Sequence, residues 1–121
     1  MTQDELKTRT KLFALRIIKL VKALPRSVEG RAIGNQIIRS GASVAANYRA
    51  SCRARSKSEF ISKIGIVLEE ADETVLWLEL ITEAGLLPSK RVETLLLEAN
   101  ELVAIMVATR KTAAANLKSE I

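Results

Sequence analysis

The sequence predicts an all-α fold, an antiparallel up-down-up-down four-helix bundle, and three observations carry that prediction. Apolar residues make up 48% of the 121 positions while aromatics make up 3%, and the apolar ones recur at the three- and four-residue spacing of a helical face. β-Branched residues nowhere alternate with polar ones over the length of a strand. Helix-breaking and capping residues divide the chain into four long segments joined by short connections, which makes consecutive helices antiparallel neighbours. A chain of this length forms one domain, residues 1–121, and buries about two thirds of its unfolded surface.

The first helix spans residues 3–23 and stops at Leu24-Pro25, because a residue preceding proline avoids the helical region. Its apolar stripe is Leu6, Phe13, Ile17, Leu20 and Leu24. The second helix, 28–54, is capped by Ser27, carries Glu29 near its positive end, and offers Ile33, Ile37, Gly41, Val44 and Tyr48. Ser56 and Glu59 form a capping box that opens the third helix, 57–84, closed by Gly85 in the left-handed region. Phe60, Ile64, Val67, Ala71, Val75 and Leu78 are its inward residues. After Leu87-Pro88 the fourth helix, 89–116, contributes Val92, Leu95, Ala99, Leu102, Val103 and Met106. Four such stripes close one core.

Composition also removes whole classes of function. The chain has no histidine and a single cysteine, so the usual zinc ligand sets and Ser-His or Cys-His catalytic pairs cannot be assembled. The Glu-x-x-His pairs of di-iron bundles are absent for the same reason. A non-enzymatic protein without cofactor or metal is expected. Cys52, beside Arg53 and Arg55, is read as an ordinary semi-buried thiol, and its solitude suggests a reducing compartment. No apolar run nears the roughly 18 residues of a membrane span, and the polar start MTQDELKTRTK is unlike a signal or transit peptide. A cytoplasmic protein without membrane contact follows as an expectation.

Charge is unevenly distributed. Residues 1–63 hold 14 Lys/Arg against 4 Asp/Glu, whereas residues 64–121 hold 5 against 10. On the second helix Arg31, Arg39, Arg49 and Arg53 fall within an arc of about 80° facing away from the core stripe, with Asn35, Ala42 and Ala46 between them. Arg55, Lys57 and Lys63 extend the charge past the turn, and the first helix adds Lys7, Lys11, Arg16, Lys19 and Lys22. Guanidinium forks match phosphate oxygens, and neutralising phosphates releases counterions. The candidate nucleic-acid contacts are therefore Arg31, Arg39, Arg49, Arg53, Arg55 and Lys57. An acidic arc on the third helix (Glu69, Asp72, Glu73, Glu79 and Glu83) supports a rival reading, in which arginines and carboxylates pair within a subunit or between subunits. No zinc-finger spacing, basic zipper or pair of stacking aromatics points to base readout, so RNA or DNA would be held through its backbone.

Apolar residues also exceed what one core needs. Ile66, Trp77 and Ile81 are expected on a face of the third helix away from its core stripe, and Leu12, Leu15 and Ile18 on the charged side of the first. Tryptophan is enriched at interface centres. Leu15, Ile18, Ile66, Trp77 and Ile81 are therefore assigned to a homo-oligomer interface.

The runs Gln36-Ile37-Ile38-Arg39-Ser40, Ser43-Val44-Ala45-Ala46-Asn47-Tyr48-Arg49-Ala50 and Arg53-Ala54-Arg55-Ser56-Lys57-Ser58-Glu59-Phe60 resemble a bacterial hallmark pattern, continued by Glu69-Glu70-Ala71-Asp72-Glu73 and Trp77-Leu78-Glu79-Leu80. They are similar to the four-helix bundle protein family, also called the intervening-sequence proteins of 23S rRNA genes, over residues 10–116. The resemblance implies a homo-oligomeric ring, typically a pentamer. It also implies kinship with basic pentameric accessory proteins of diversity-generating retroelements, which bind nucleic acid and a reverse transcriptase. Where many relatives carry Asn-Ile-Ala-Glu-Gly, this chain has Asn47-Tyr48-Arg49-Ala50-Ser51. Two functions compete: a basic oligomer binding RNA or DNA backbone, or a scaffold whose arginines and acids dock subunits or a partner such as a polymerase.

Overall fold

The computed structural model describes residues 1–120. Four helices fill it: α1 Gln3–Lys22, α2 Val28–Ser51, α3 Lys57–Glu83 and α4 Ser89–Glu120. Among the described residues there is no strand. Among the described residues each helix packs on the next, α1 and α4 touch lightly to close the square, and the diagonal pairs α1–α3 and α2–α4 do not pack on each other. Ile121 lies outside the described residues.

Helix starts follow the side chains that satisfy them. Ser27 Oγ accepts from the Gly30 amide at 3.1 Å and Ser56 Oγ from the Glu59 amide at 3.0 Å, as capping predicts. Glu59 turns back as expected, but its carboxylate accepts from the Arg55 amide, at 3.3 Å. A further cap, Thr2 accepting from the Glu5 amide at 3.1 Å, opens α1. The ends differ slightly from expectation. α2 stops at Ser51 because the chain tightens there, the amides of Arg53 and Ala54 bonding carbonyls three residues back. α4 continues beyond 116 to Glu120.

The core consists of the predicted stripes. Phe13, Ile17, Ile37, Val44, Ile64, Val67, Leu78, Leu102 and Met106 are all essentially inaccessible, while Ile33, Phe60 and Val103 are half-buried at its edge. Two polar pairs sit inside it without cost, because each hydroxyl has a partner. Thr10 donates to the Leu6 carbonyl at 2.8 Å. Between α2 and α3, Thr74 donates to Ser40 Oγ at 2.8 Å, and Ser40 donates onward to the Ile37 carbonyl.

Ile81 departs from the sequence reading. It is 0% exposed, in the core and not on an outer face. The reason lies in how α3 ends. Gly85 adopts φ +71°, the Leu86 amide bonds Ile81 O at 2.9 Å and the Gly85 amide bonds Thr82 O at 3.0 Å. That double bond pattern is a Schellman closure, which folds the residue after the glycine back over the last turn. Leu87 joins the same core cluster as Ile81, and Leu86 packs against it. Because α3 packs extensively on both α2 and α4, its buried arc must also be wider than that of an edge helix.

α1 and α2 approach closely at glycine. A Cβ on Gly41 would lie 3.0 Å from Ile17, and one on Gly30 would lie 2.1 Å from the Pro25 carbonyl oxygen. The latter contact ties the α1–α2 turn to the first turn of α2 and admits only glycine. This close seam brings the cations of α1 beside the arginines of α2.

Candidate nucleic-acid interface

The outer face of α2 runs from the α1–α2 turn to the α2–α3 turn. From Arg31 to Arg49 it spans about 27 Å at 1.5 Å per residue, and Arg53 follows just past its end. Arg31, Arg49 and Arg53 are exposed, and among the described residues none of the three enters an ion pair. Three recesses gather cations of this surface, Arg49 and Arg31 lining the first two and Arg53 none of them. Lys7, Lys11 and Arg49 surround a groove of about 390 Å³ floored by Ala14, Ala42, Ala45 and Ala46. Lys22, Arg26 and Arg31 flank a second, of about 340 Å³, at the α1–α2 turn. Arg55 and Lys57 border a third, of about 450 Å³, with Gln3, Ser56, Phe60 and Asn116. The small residues matter physically: an alanine floor leaves the lysine and arginine tips unobstructed above it.

Arg39 occupies a different setting. Its guanidinium donates to Glu73 Oε2 at 2.7 Å and approaches Glu70 Oε2 at 3.4 Å. Glu73 Oε2 also accepts from the Trp77 indole N–H at 3.0 Å. Arg39 therefore serves the α2–α3 contact, the arrangement that the ion-pair reading describes.

The best-developed ion cluster joins the bundle's lightest contact. Arg9 on α1 donates from Nε to Glu98 Oε2 at 2.7 Å and from Nη2 to Glu98 Oε1 at 2.6 Å, and also reaches Glu101 on α4. This forked pair holds the Glu98 carboxyl below its ordinary range through hydrogen bonding to Arg9, and raises Arg9 in return. Two turns further along α1, the same seam carries Arg16, Lys19 and Arg91 around a groove of about 280 Å³, Arg16 donating to Thr94 Oγ1 at 3.3 Å. The Arg9 cluster escaped the sequence reading, although Glu98 and Glu101 stand three residues apart on one side of α4. Tyr48 is buried beside Cys52, and burial first, then Cys52, pushes its hydroxyl pKa up.

A family model described as the 23S rRNA-intervening sequence protein matches residues 4–108. The chain belongs to that family. The chain is also similar to a crystal structure from Bacteroides thetaiotaomicron, described as a protein of unknown function from the S23 ribosomal protein family. Identity is 33%, coverage is 87% of this chain and 97% of that one, and the TM-score is 0.81. Among curated proteins, none matches. The family resemblance read from residues 36–60 and 69–80 is thereby shown, together with the four-helix architecture.

In this intervening-sequence family member the predicted interface residues are placed unevenly. Leu15 and Ile18 are exposed on α1, beside Leu12. Ile66 is half-buried, and Trp77 packs half-buried against the core with its N–H on Glu73. Ile81 is removed from the surface, as described above. Exposed Leu76 and Leu80 on α3, and Leu97 and Val107 on α4, were not anticipated. For Leu76 and Leu80 a signal existed: they lie four residues apart and opposite Val67 and Leu78 on the helical wheel. Among the described residues, no helix is long and apolar enough to cross a membrane, and no group of three or more Cys, Asp and Glu is arranged to hold a metal.

Proposed function

We propose that this protein is a non-enzymatic homo-oligomer that binds RNA or DNA backbone through the outer face of α2 and the adjoining cations of α1, with little sequence preference. The observation that carries this reading is the Lys7–Lys11–Arg49 groove, where three cations converge over a floor of alanines and neither Lys11 nor Arg49 has a carboxylate partner among the described residues. Lys7 meets only the highly exposed Asp4, at 3.7 Å, a contact of little strength. Like charges gathered this way repel one another, and polyanion binding relieves that repulsion while releasing counterions. The family's description as a 23S rRNA-intervening sequence protein is compatible with an RNA partner. Binding of duplex and structured RNA, followed by fluorescence anisotropy from about 50 to 300 mM salt, tests the proposal. Affinity should fall steeply with salt; no binding at the low-salt end would defeat it.

A second reading has its own support in Arg39. Its engagement with Glu70 and Glu73 shows that arginine–carboxylate pairing already operates in this fold. The remaining arginines would then dock acidic segments of a partner protein, such as a polymerase or reverse transcriptase, and RNA would not bind.

A further inference from the structure

The four aromatic residues, Phe13, Tyr48, Phe60 and Trp77, stand in unlike settings. Phe13 and Tyr48 are closed in the core, and the Trp77 indole is tied to Glu73. Phe60, in the first turn of α3, is half-buried. It packs against the core and also lines two recesses, of about 450 and 430 Å³. These recesses share Phe60, Ala113 and Asn116 and so adjoin one another. They lie at the end of the bundle where α1 begins and the α2–α3 turn meets the last turns of α4.

The larger recess brings two further kinds of group to that ring. Its charged lining residues, Arg55 and Lys57, are both cationic, and Arg55 enters no ion pair among the described residues. Glu59, on the same turn of α3, has its carboxylate turned back to the Arg55 backbone amide at 3.3 Å. Gln3 on α1 and Asn116 on α4 add side-chain amides that have no protein partner among the described residues. The recess also continues the cationic surface of the α1–α2 seam. Gln3 stands one turn before Lys7, about 6 Å along the helix axis and on the same side of α1, and Lys7 borders the Arg49 groove.

We propose that this end of the bundle is a base-stacking site for single-stranded nucleic acid, in which an unpaired base lies on the Phe60 ring and its flanking phosphates meet Arg55 and Lys57. The inference rests on the backbone-binding reading given above and specifies the strandedness of the ligand. Every base has a π-face, so an aromatic platform adds affinity without demanding a sequence. Side-chain amides carry both donors and acceptors, so Gln3 and Asn116 can meet the edge of any base. A recess of about 450 Å³ falls in the size range of small-ligand sites. Bases within a duplex are stacked on one another and do not reach the ring without being flipped out.

Oligo(dT), an abasic strand of the same length and a blunt DNA duplex, each followed by fluorescence anisotropy, separate base from backbone. Wild type should bind oligo(dT) roughly 5- to 100-fold more tightly than the abasic strand. Phe60→Leu keeps an apolar side chain against the core and should abolish that preference, with affinity for the abasic strand and the duplex unchanged. Phe60→Tyr should retain the preference, and Arg49→Ala should weaken all three ligands. In unsubstituted protein, 5-iodouracil placed in the strand should photocross-link to Phe60, read by peptide mass spectrometry, a result that depends on no variant folding. A wild type that binds none of the three ligands overturns the backbone-binding reading and this inference together. The stacking site alone is overturned by equal wild-type affinity for oligo(dT) and the abasic strand, or by a preference that survives Phe60→Leu. A Phe60→Leu loss shared by all three ligands, or the absence of a cross-link at Phe60, overturns it equally.

Discussion

Arg39 and Arg49 stand on the same exposed side of one helix, ten residues apart, yet they meet opposite surroundings. Arg39 leans toward α3 and finds Glu70 and Glu73. Arg49 leans toward α1 and finds Lys7 and Lys11. On a helical wheel the two lie about 80° apart, at opposite edges of the arginine arc. That angle is enough to reach different neighbouring helices, one entirely acidic over residues 64–83 and one entirely basic over residues 7–22. The role of an arginine here follows from the helix it faces more than from its own helix.

The comparison can be broken most severely by loosening α2 from both neighbours. Ile37 is 0% exposed at the centre of the helix, and Ile37→Ala should cost roughly 2–5 kcal/mol in urea unfolding. If α2 is held as described, the same variant should weaken RNA binding in proportion to the unfolded fraction and no further.

A smaller effect is expected at the one seam where a cation is fully matched. Glu98→Gln should destabilise by roughly 1–3 kcal/mol, because it weakens a forked charge-assisted pair on a largely shielded side chain. The pH dependence has a definite sign. Glu98 is held below its ordinary value by Arg9, so its stabilisation is present above the ordinary glutamate range and is lost as pH falls through the lowered value. The difference in urea midpoint between wild type and Glu98→Gln should therefore shrink on acidification from about pH 6 to about pH 2; a constant gap would contradict the assignment.

Arg39→Ala should do least. Its side chain is 55% exposed, where such pairs contribute about 0–1 kcal/mol, and its guanidinium is already committed to α3. RNA affinity should stay within twofold of wild type. A tenfold loss would return Arg39 to the phosphate-binding set and blur the distinction from Arg49.

Most of the fold was legible because a helix's inward face is a local property. The stripes from Leu6 to Met106 were visible in spacing, and Ser27, Ser56 and Gly85 marked the ends. Features that depend on two segments meeting were not. Ile81 is buried because α3 packs on both α2 and α4, and because the turn after Gly85 brings Leu86 and Leu87 to the same core. Arg9 finds Glu98 across 89 residues of sequence, a pairing that needs the register between α1 and α4. Of the basic residues, the sequence identified the arc but not its division. Arg31, Arg49 and Arg53 remain exposed as anticipated, and only the position of α3 reveals that Arg39 is occupied.

The central claim is that the unpaired arginines of α2 contact phosphate. It is tested most directly by the slope of log affinity against log salt for duplex and single-stranded nucleic acid, measured for wild type and for Arg49→Ala/Arg53→Ala. Two lost phosphate contacts should flatten that slope by about 1.8 on duplex DNA and about 1.4 on a single strand, with the unfolding midpoint unchanged. An unaltered slope in a folded double variant would contradict the account.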